Sequence, residues 1–112
     1  MPVEDLYVKE QAEEFEIEHN GQVYQFAKRE LSWLKTNKIL SKAAKITQKG
    51  VEIALDVWYE EYLSEALTKA PWNLGETRIA LRRLDPAFGA KLEKHIPRPG
   101  GFSEDLDFFG QE

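Results

Sequence analysis

Phe15-Glu16-Ile17-Glu18-His19-Asn20-Gly21-Gln22-Val23-Tyr24-Gln25-Phe26 carries the plainest structural instruction in this chain. Asn20-Gly21 is the preferred pair for a type I′ turn, because both residues accept a positive φ. Folding there opposes His19 to Gln22, Ile17 to Tyr24 and Phe15 to Phe26. Those six side chains share one face, largely aromatic and aliphatic. Glu14, Glu16, Glu18, Val23 and Gln25 take the other face, which is mostly polar. A two-stranded ribbon is marginal in water. The Phe15/Phe26 face therefore has to pack on helices or on a second subunit.

The residues downstream supply those helices. Ser32 is placed to cap a helix that starts at Trp33, with Leu31 as the staple residue before it. From there to about Gln48, lysines recur at 35, 38, 42, 45 and 49, at steps of three and four that gather them on one helix side. Trp33, Leu40, Ala43 and Ala44 fall roughly opposite, and Gly50 reads as the C-cap. A second helix starts at Val51 or Asp56 and runs to Lys69, where Pro71 stops it. Its apolar stripe is Leu55, Trp58, Tyr59, Tyr62, Leu63, Ala66, Leu67 and Ala70. Trp72 and Leu74 are expected to plug the core. A third helix reads Glu76 to Leu84. Asp85-Pro86 is a cap-and-first-turn pair opening a fourth, to about His95. Leu81, Leu84, Phe88, Leu92 and Ile96 make one stripe across that junction. The expected fold is α+β, an N-terminal β-hairpin on three to four helices. Residues 14–96 form the domain, between a flexible stretch at 1–13 and a flexible acidic tail at 97–112.

Composition narrows the function. The chain has 112 residues, 42% hydrophobic and 31% charged, with a net charge of -5. That is an ordinary globular balance for one domain. Without cysteine there is no disulfide, thiol nucleophile or cysteine zinc site. His19 and His95 alone cannot build a histidine metal centre. No apolar run approaches a membrane span, and the acidic start argues against a secretory signal. There is no phosphate loop, nucleophile elbow or His-Glu-x-x-His. Glu60 and Glu61 are adjacent, so they diverge by about 100° on a helix and make a poor acid/base pair. The expectation is a protein that is not an enzyme and takes no cofactor.

The charges fall in blocks. Residues 1–30 carry -5, 31–49 carry +5, 50–66 carry -5, 67–94 carry +3 and 95–112 carry -3. Such blocks attract one another or further copies of the chain. The face of Lys35, Lys38, Lys42, Lys45 and Lys49 is either a docking surface for an acidic segment or for phosphates, or a solvated face balanced by the acids after it. Arg78 and Arg82, four apart, share a side that suits a clamp on a partner's carboxylates. Trp58, Tyr59 and Tyr62 read as core or as an interface anchor. Global acidity, and lysines without interleaved aromatics or arginines, argue against nucleic acid.

The order of parts resembles one family. Phe-x-Ile…Asn-Gly-x-x-Tyr-x-Phe leads into Arg-Glu-Leu-Ser, then Asp-x-Trp-Tyr-x-x-Tyr-Leu, then Ala-Pro-Trp, and then Leu-Arg-Arg-Leu-Asp-Pro-Ala-Phe-Gly-x-x-Leu. Over residues 14–96 this layout is similar to the tail assembly chaperones of long-tailed bacteriophages. The matched residues are Asn20, Gly21, Tyr24, Phe26, Tyr59, Tyr62, Leu63, Pro71, Leu81, Leu84 and Leu92. The resemblance implies a non-enzymatic protein of the host cytoplasm. It would bind the tape measure protein, self-associate around it and recruit tail tube subunits. Some members also exist in a C-terminally extended form made by frameshifting. The expected partner-binding residues are Lys35, Lys38, Lys42, Lys45, Tyr59, Tyr62, Leu63, Arg78 and Arg82. A small nucleic-acid-binding regulator built on the lysine helix is the alternative.

Overall fold

The computed structural model describes residues 3–9 and 11–99. After a 3-10 turn at Val3–Leu6 come β1 (Glu13–His19), β2 (Gln22–Lys28) and α1 (Trp33–Ala43). There follow β3 (Ala44–Thr47), β4 (Gly50–Ile53), α2 (Leu55–Ala66) and β5 (Leu67–Lys69). A 3-10 turn at Leu74–Glu76 leads into α3 (Thr77–Arg83), and α4 (Pro86–Glu93) closes the series. The architecture is α+β, as the hairpin and helix signals indicated.

β1 and β2 pair in the expected register, Phe15 with Phe26, Ile17 with Tyr24 and His19 with Gln22. Asn20 and Gly21 take φ of 53° and 80°, the left-handed values that the turn requires. Phe15, Ile17 and Phe26 are buried, while Glu14, Glu16, Glu18, Val23 and Gln25 are exposed. Phe26 is the centre of the core. It stacks on Phe15 at 5.1 Å and meets the edge of Trp72 at 5.5 Å and Phe88 at 6.1 Å. Phe88, Leu92 and Ile96 bury the stripe of α4 against this sheet, with Leu81 and Leu84 packed at its margin. Asp85 caps α4 by accepting from the Ala87 amide at 2.7 Å, and Ser32 caps α1 through the Lys35 amide.

Three expectations change. The lysine helix ends at Ala43, and residues 44–53 form a second hairpin in which Ile46 faces Val51 and Ala44 faces Ile53. Ile46, Thr47, Val51 and Ile53 are β-branched and flank a Gln-Lys turn, so strand preference overrides the helical spacing of the lysines. Lys45 lies on β3 and Lys49 in the turn, so neither continues the helix face. Gly50 is no helix cap; it closes that turn at φ 122°, a conformation open to glycine. The Thr47 hydroxyl supports it, accepting from the Lys49 amide at 3.2 Å and donating to the Gly50 carbonyl at 3.0 Å. Gly50→Ala is expected to cost about 1–3 kcal/mol in a urea titration.

The second helix also stops early. At Leu67 the backbone turns extended, and Leu67 and Lys69 pair with Lys28 and Ala27, completing a three-stranded sheet in the order β1-β2-β5. Sheet pairing on an open edge of β2, with Leu67 buried beneath it, outweighs one further helical turn. Finally, Trp33 is 80% exposed, and Ile39 and Ala43 form the buried side of α1. Of the expected plug, Trp72 packs inside, donating its indole N–H to Thr77 Oγ1 at 3.1 Å, while Leu74 stays exposed.

The domain limits shift slightly. The chain at 97–99 is seated: the Pro97 carbonyl accepts from Trp58 Nε1 at 3.0 Å, and Pro99 is buried. The rest of the expected tail, from residue 100, lies outside the described residues, as do residues 1, 2 and 10 of the expected flexible start.

Candidate interaction surface

The opposed charge blocks meet inside the molecule. α1 and α2 run antiparallel, so the Lys42 ammonium lies 3.0 Å from Glu61 and the Lys35 ammonium 3.6 Å from Glu65. On the other flank of α2, Arg78 Nη1 donates to Glu60 Oε1 at 3.0 Å and its second nitrogen contacts Glu61. Arg82 donates twice to Glu60, each bond at 3.2 Å. A chain of alternating charge therefore ties α1, α2 and α3 together. Its forked guanidinium–carboxylate pairs supply orientation as well as attraction.

The carboxyls respond. Glu60 is held below the usual 4.5, first by its hydrogen bond from Arg82. Glu61 is held below it, first by the bond from Lys42. A folded-state value below the unfolded one stabilises the native chain above about pH 4.5, and that stabilisation is lost as pH falls through the folded value. Denaturation midpoints measured from neutral to acid pH should fall steadily on that limb. The Glu61→Gln variant should start lower and fall less.

This arrangement reassigns most of the expected partner-binding residues. Arg78 and Arg82 clamp carboxylates of their own chain rather than a partner's. Tyr62 and Leu63 are buried, 6% and 2% exposed, so a partner cannot reach them. They belong to the core cluster with Phe26, Ile39 and Leu92, whereas Leu55 at the start of the same stripe is 48% exposed. Tyr59 is half-buried. Its hydroxyl donates to Glu93 Oε1 at 2.6 Å, and burial together with that carboxylate pushes its pKa up to about 12.

Two of the expected lysines are left over. Among the described residues no carboxylate lies within 4.0 Å of Lys38 or Lys45, and both side chains are exposed. Charge patterning alone could not separate them from Lys35 and Lys42, because Lys38 shares their side of α1 and Lys45 keeps the same spacing although it lies on β3. The same two elements, α1 and β3, also expose apolar residues that the sequence reading had placed inside or passed over. Trp33 and Leu34, 80% and 58% exposed, begin α1, and Ile46, 91% exposed, follows its end. α1, 11 residues long, spans about 16 Å, and Leu34 and Lys38, four residues apart, put an apolar and a cationic group one turn apart on it.

The histidines are packing residues. His95 stacks on Phe15 at 4.3 Å, and His19 meets Phe88 edge-on at 5.3 Å. Among the described residues no three His, Asp or Glu side chains converge as a metal-holding group, and no helix is long and apolar enough to cross a membrane. Comparison with protein-family models, curated proteins and solved structures finds no match to this chain.

Proposed function

We propose that this chain is a non-enzymatic tail assembly chaperone of a long-tailed bacteriophage, acting in the host cytoplasm. It binds the tape measure protein and helps to recruit tail tube subunits. The observation that carries the reading is the surface of α1 and β3. Among the described residues no carboxylate lies within 4.0 Å of Lys38 or Lys45, and the same two elements expose Trp33, Leu34 and Ile46. Exposed aromatic and aliphatic anchors among cations suit an elongated partner with an acidic, amphipathic face. The ordered layout over residues 14–96 supports the same reading. Commitment of Arg78 and Arg82 to Glu60 and Glu61 favours protein docking over the nucleic-acid alternative, which relied on those arginines.

Co-expression with the tape measure protein of the same genome should yield a soluble complex that survives size-exclusion chromatography. If the two proteins migrate independently at micromolar concentration, the reading fails.

A further inference from the structure

A cavity of about 510 Å³ lies where the chain entering β1 and the chain leaving β2 meet the residues after α4. Lys9, Lys28, Arg29 and Lys94 all line it. Glu13 and Glu30 line it too, so four cations face two carboxylates in a chain whose overall charge is -5. The acids do not pair these cations off. Among the described residues no carboxylate lies within 4.0 Å of any of the four. Lys28, directly across the hairpin from Glu13, donates instead to the His95 carbonyl.

Donors are left over for a ligand. Arg29 engages its Nε with the Glu65 carbonyl at 3.2 Å, and its terminal nitrogens make no hydrogen bond among the described residues. Lys28 gives one ammonium proton to His95 and keeps the others. Tyr62, too covered for a protein partner, also lines the cavity. Burial, with Glu30 and Glu13 nearby, raises its pKa, so its hydroxyl remains a donor at neutral pH. The cavity volume falls within the range of about 300–1,000 Å³ common to small-molecule sites. An excess of two positive charges matches one phosphate group, which carries about -1.5 to -2 near pH 7. A lone carboxylate would leave one cation unbalanced. Phosphate oxygens also accept from several donors at once, which suits an arginine fork set among lysines.

We propose that this cavity binds a small phosphate-bearing anion, held by Lys28 and Arg29 at the end of β2, Lys94 after α4 and Lys9 before β1. The site shares no residue with the surface of α1 and β3.

Titrating pyrophosphate at constant ionic strength into the isotope-labelled full chain tests it. The amides of Lys28, Arg29, Lys94 and His95 should shift saturably with a Kd of about 1 mM or tighter, while those of Lys38 and Ile46 stay in place. Lys9 and Lys94 are exposed and make no side-chain hydrogen bond or ion pair among the described residues. Lys9→Gln with Lys94→Gln should therefore weaken binding about tenfold or more and leave the denaturation midpoint unchanged. Lys38→Gln with Lys45→Gln should leave pyrophosphate binding intact, so this site and the tape measure reading fail separately. ADP binding tighter than pyrophosphate would assign the site to an organic phosphate, and equal binding to a free one. The proposal is overturned if the shifts do not saturate, if Lys38→Gln with Lys45→Gln weakens binding as much as Lys9→Gln with Lys94→Gln, or if poly-glutamate shifts these amides and pyrophosphate does not, which would make the cavity a protein-docking surface.

Discussion

Phe26→Ala is expected to remove about 3–5 kcal/mol of stability, the range for truncating a fully buried aromatic residue. Against a total of about 5–15 kcal/mol for a domain of this kind, that leaves a chain marginally folded or unfolded at body temperature. Phe26 is 0% exposed and is the ring on which Phe15, Trp72 and Phe88 converge from β1, the α2–α3 connector and α4. No single neighbour can relax into the space, because each is held by its own element. Val23→Ala on the same strand, where the side chain is 53% exposed, should stay within about 0.5 kcal/mol. Urea titration followed by tryptophan fluorescence measures both. A cost for Phe26→Ala no greater than for Val23→Ala would contradict this placement of the core.

Trp58→Ala should cost a similar ~3–5 kcal/mol, for a compound reason. The indole is 0% exposed, packs beside Tyr62 with ring centroids 5.6 Å apart, and donates to the Pro97 carbonyl. Trp58→Phe separates the two parts. It keeps most of the apolar bulk and leaves the carbonyl without its donor, at a cost of about 1–3 kcal/mol. Hydrogen exchange at Arg98 should rise in Trp58→Phe as well as in Trp58→Ala. If exchange there is unchanged in Trp58→Phe, the hydrogen bond does not hold this end of the chain.

What could be read from sequence follows from how local each signal was. The Asn20-Gly21 turn and its register, the Ser32 and Asp85-Pro86 caps, and the stripe from Leu81 to Ile96 are set by residues within a turn or two of one another. The second hairpin was hidden because Lys35, Lys38, Lys42 and Lys45 keep helical spacing across Ala43, although Ile46, Thr47, Val51 and Ile53 prefer a strand. β5 was hidden because three residues pair only through the distant edge of β2. The site was legible by half. Opposed charge blocks foretold attraction between segments, but not that Glu60 and Glu61 would take up Arg78, Arg82 and Lys42 while Lys38 and Lys45 met no carboxylate among the described residues. That division rests on where Glu61 and Glu65 of α2 come to lie along α1, and on the end of the helix at Ala43 before Lys45.

The central claim is that the lysines have two different tasks, and calorimetric titration against the tape measure protein tests it. Lys38→Glu with Lys45→Glu should weaken binding about a hundredfold or more, since opposed like charges at an interface cost several kcal/mol, while the denaturation midpoint stays unchanged. Lys35→Glu with Lys42→Glu should instead lower the midpoint, by setting like charges against Glu65 and Glu61. Wild-type affinity in the Lys38→Glu, Lys45→Glu protein would contradict the account.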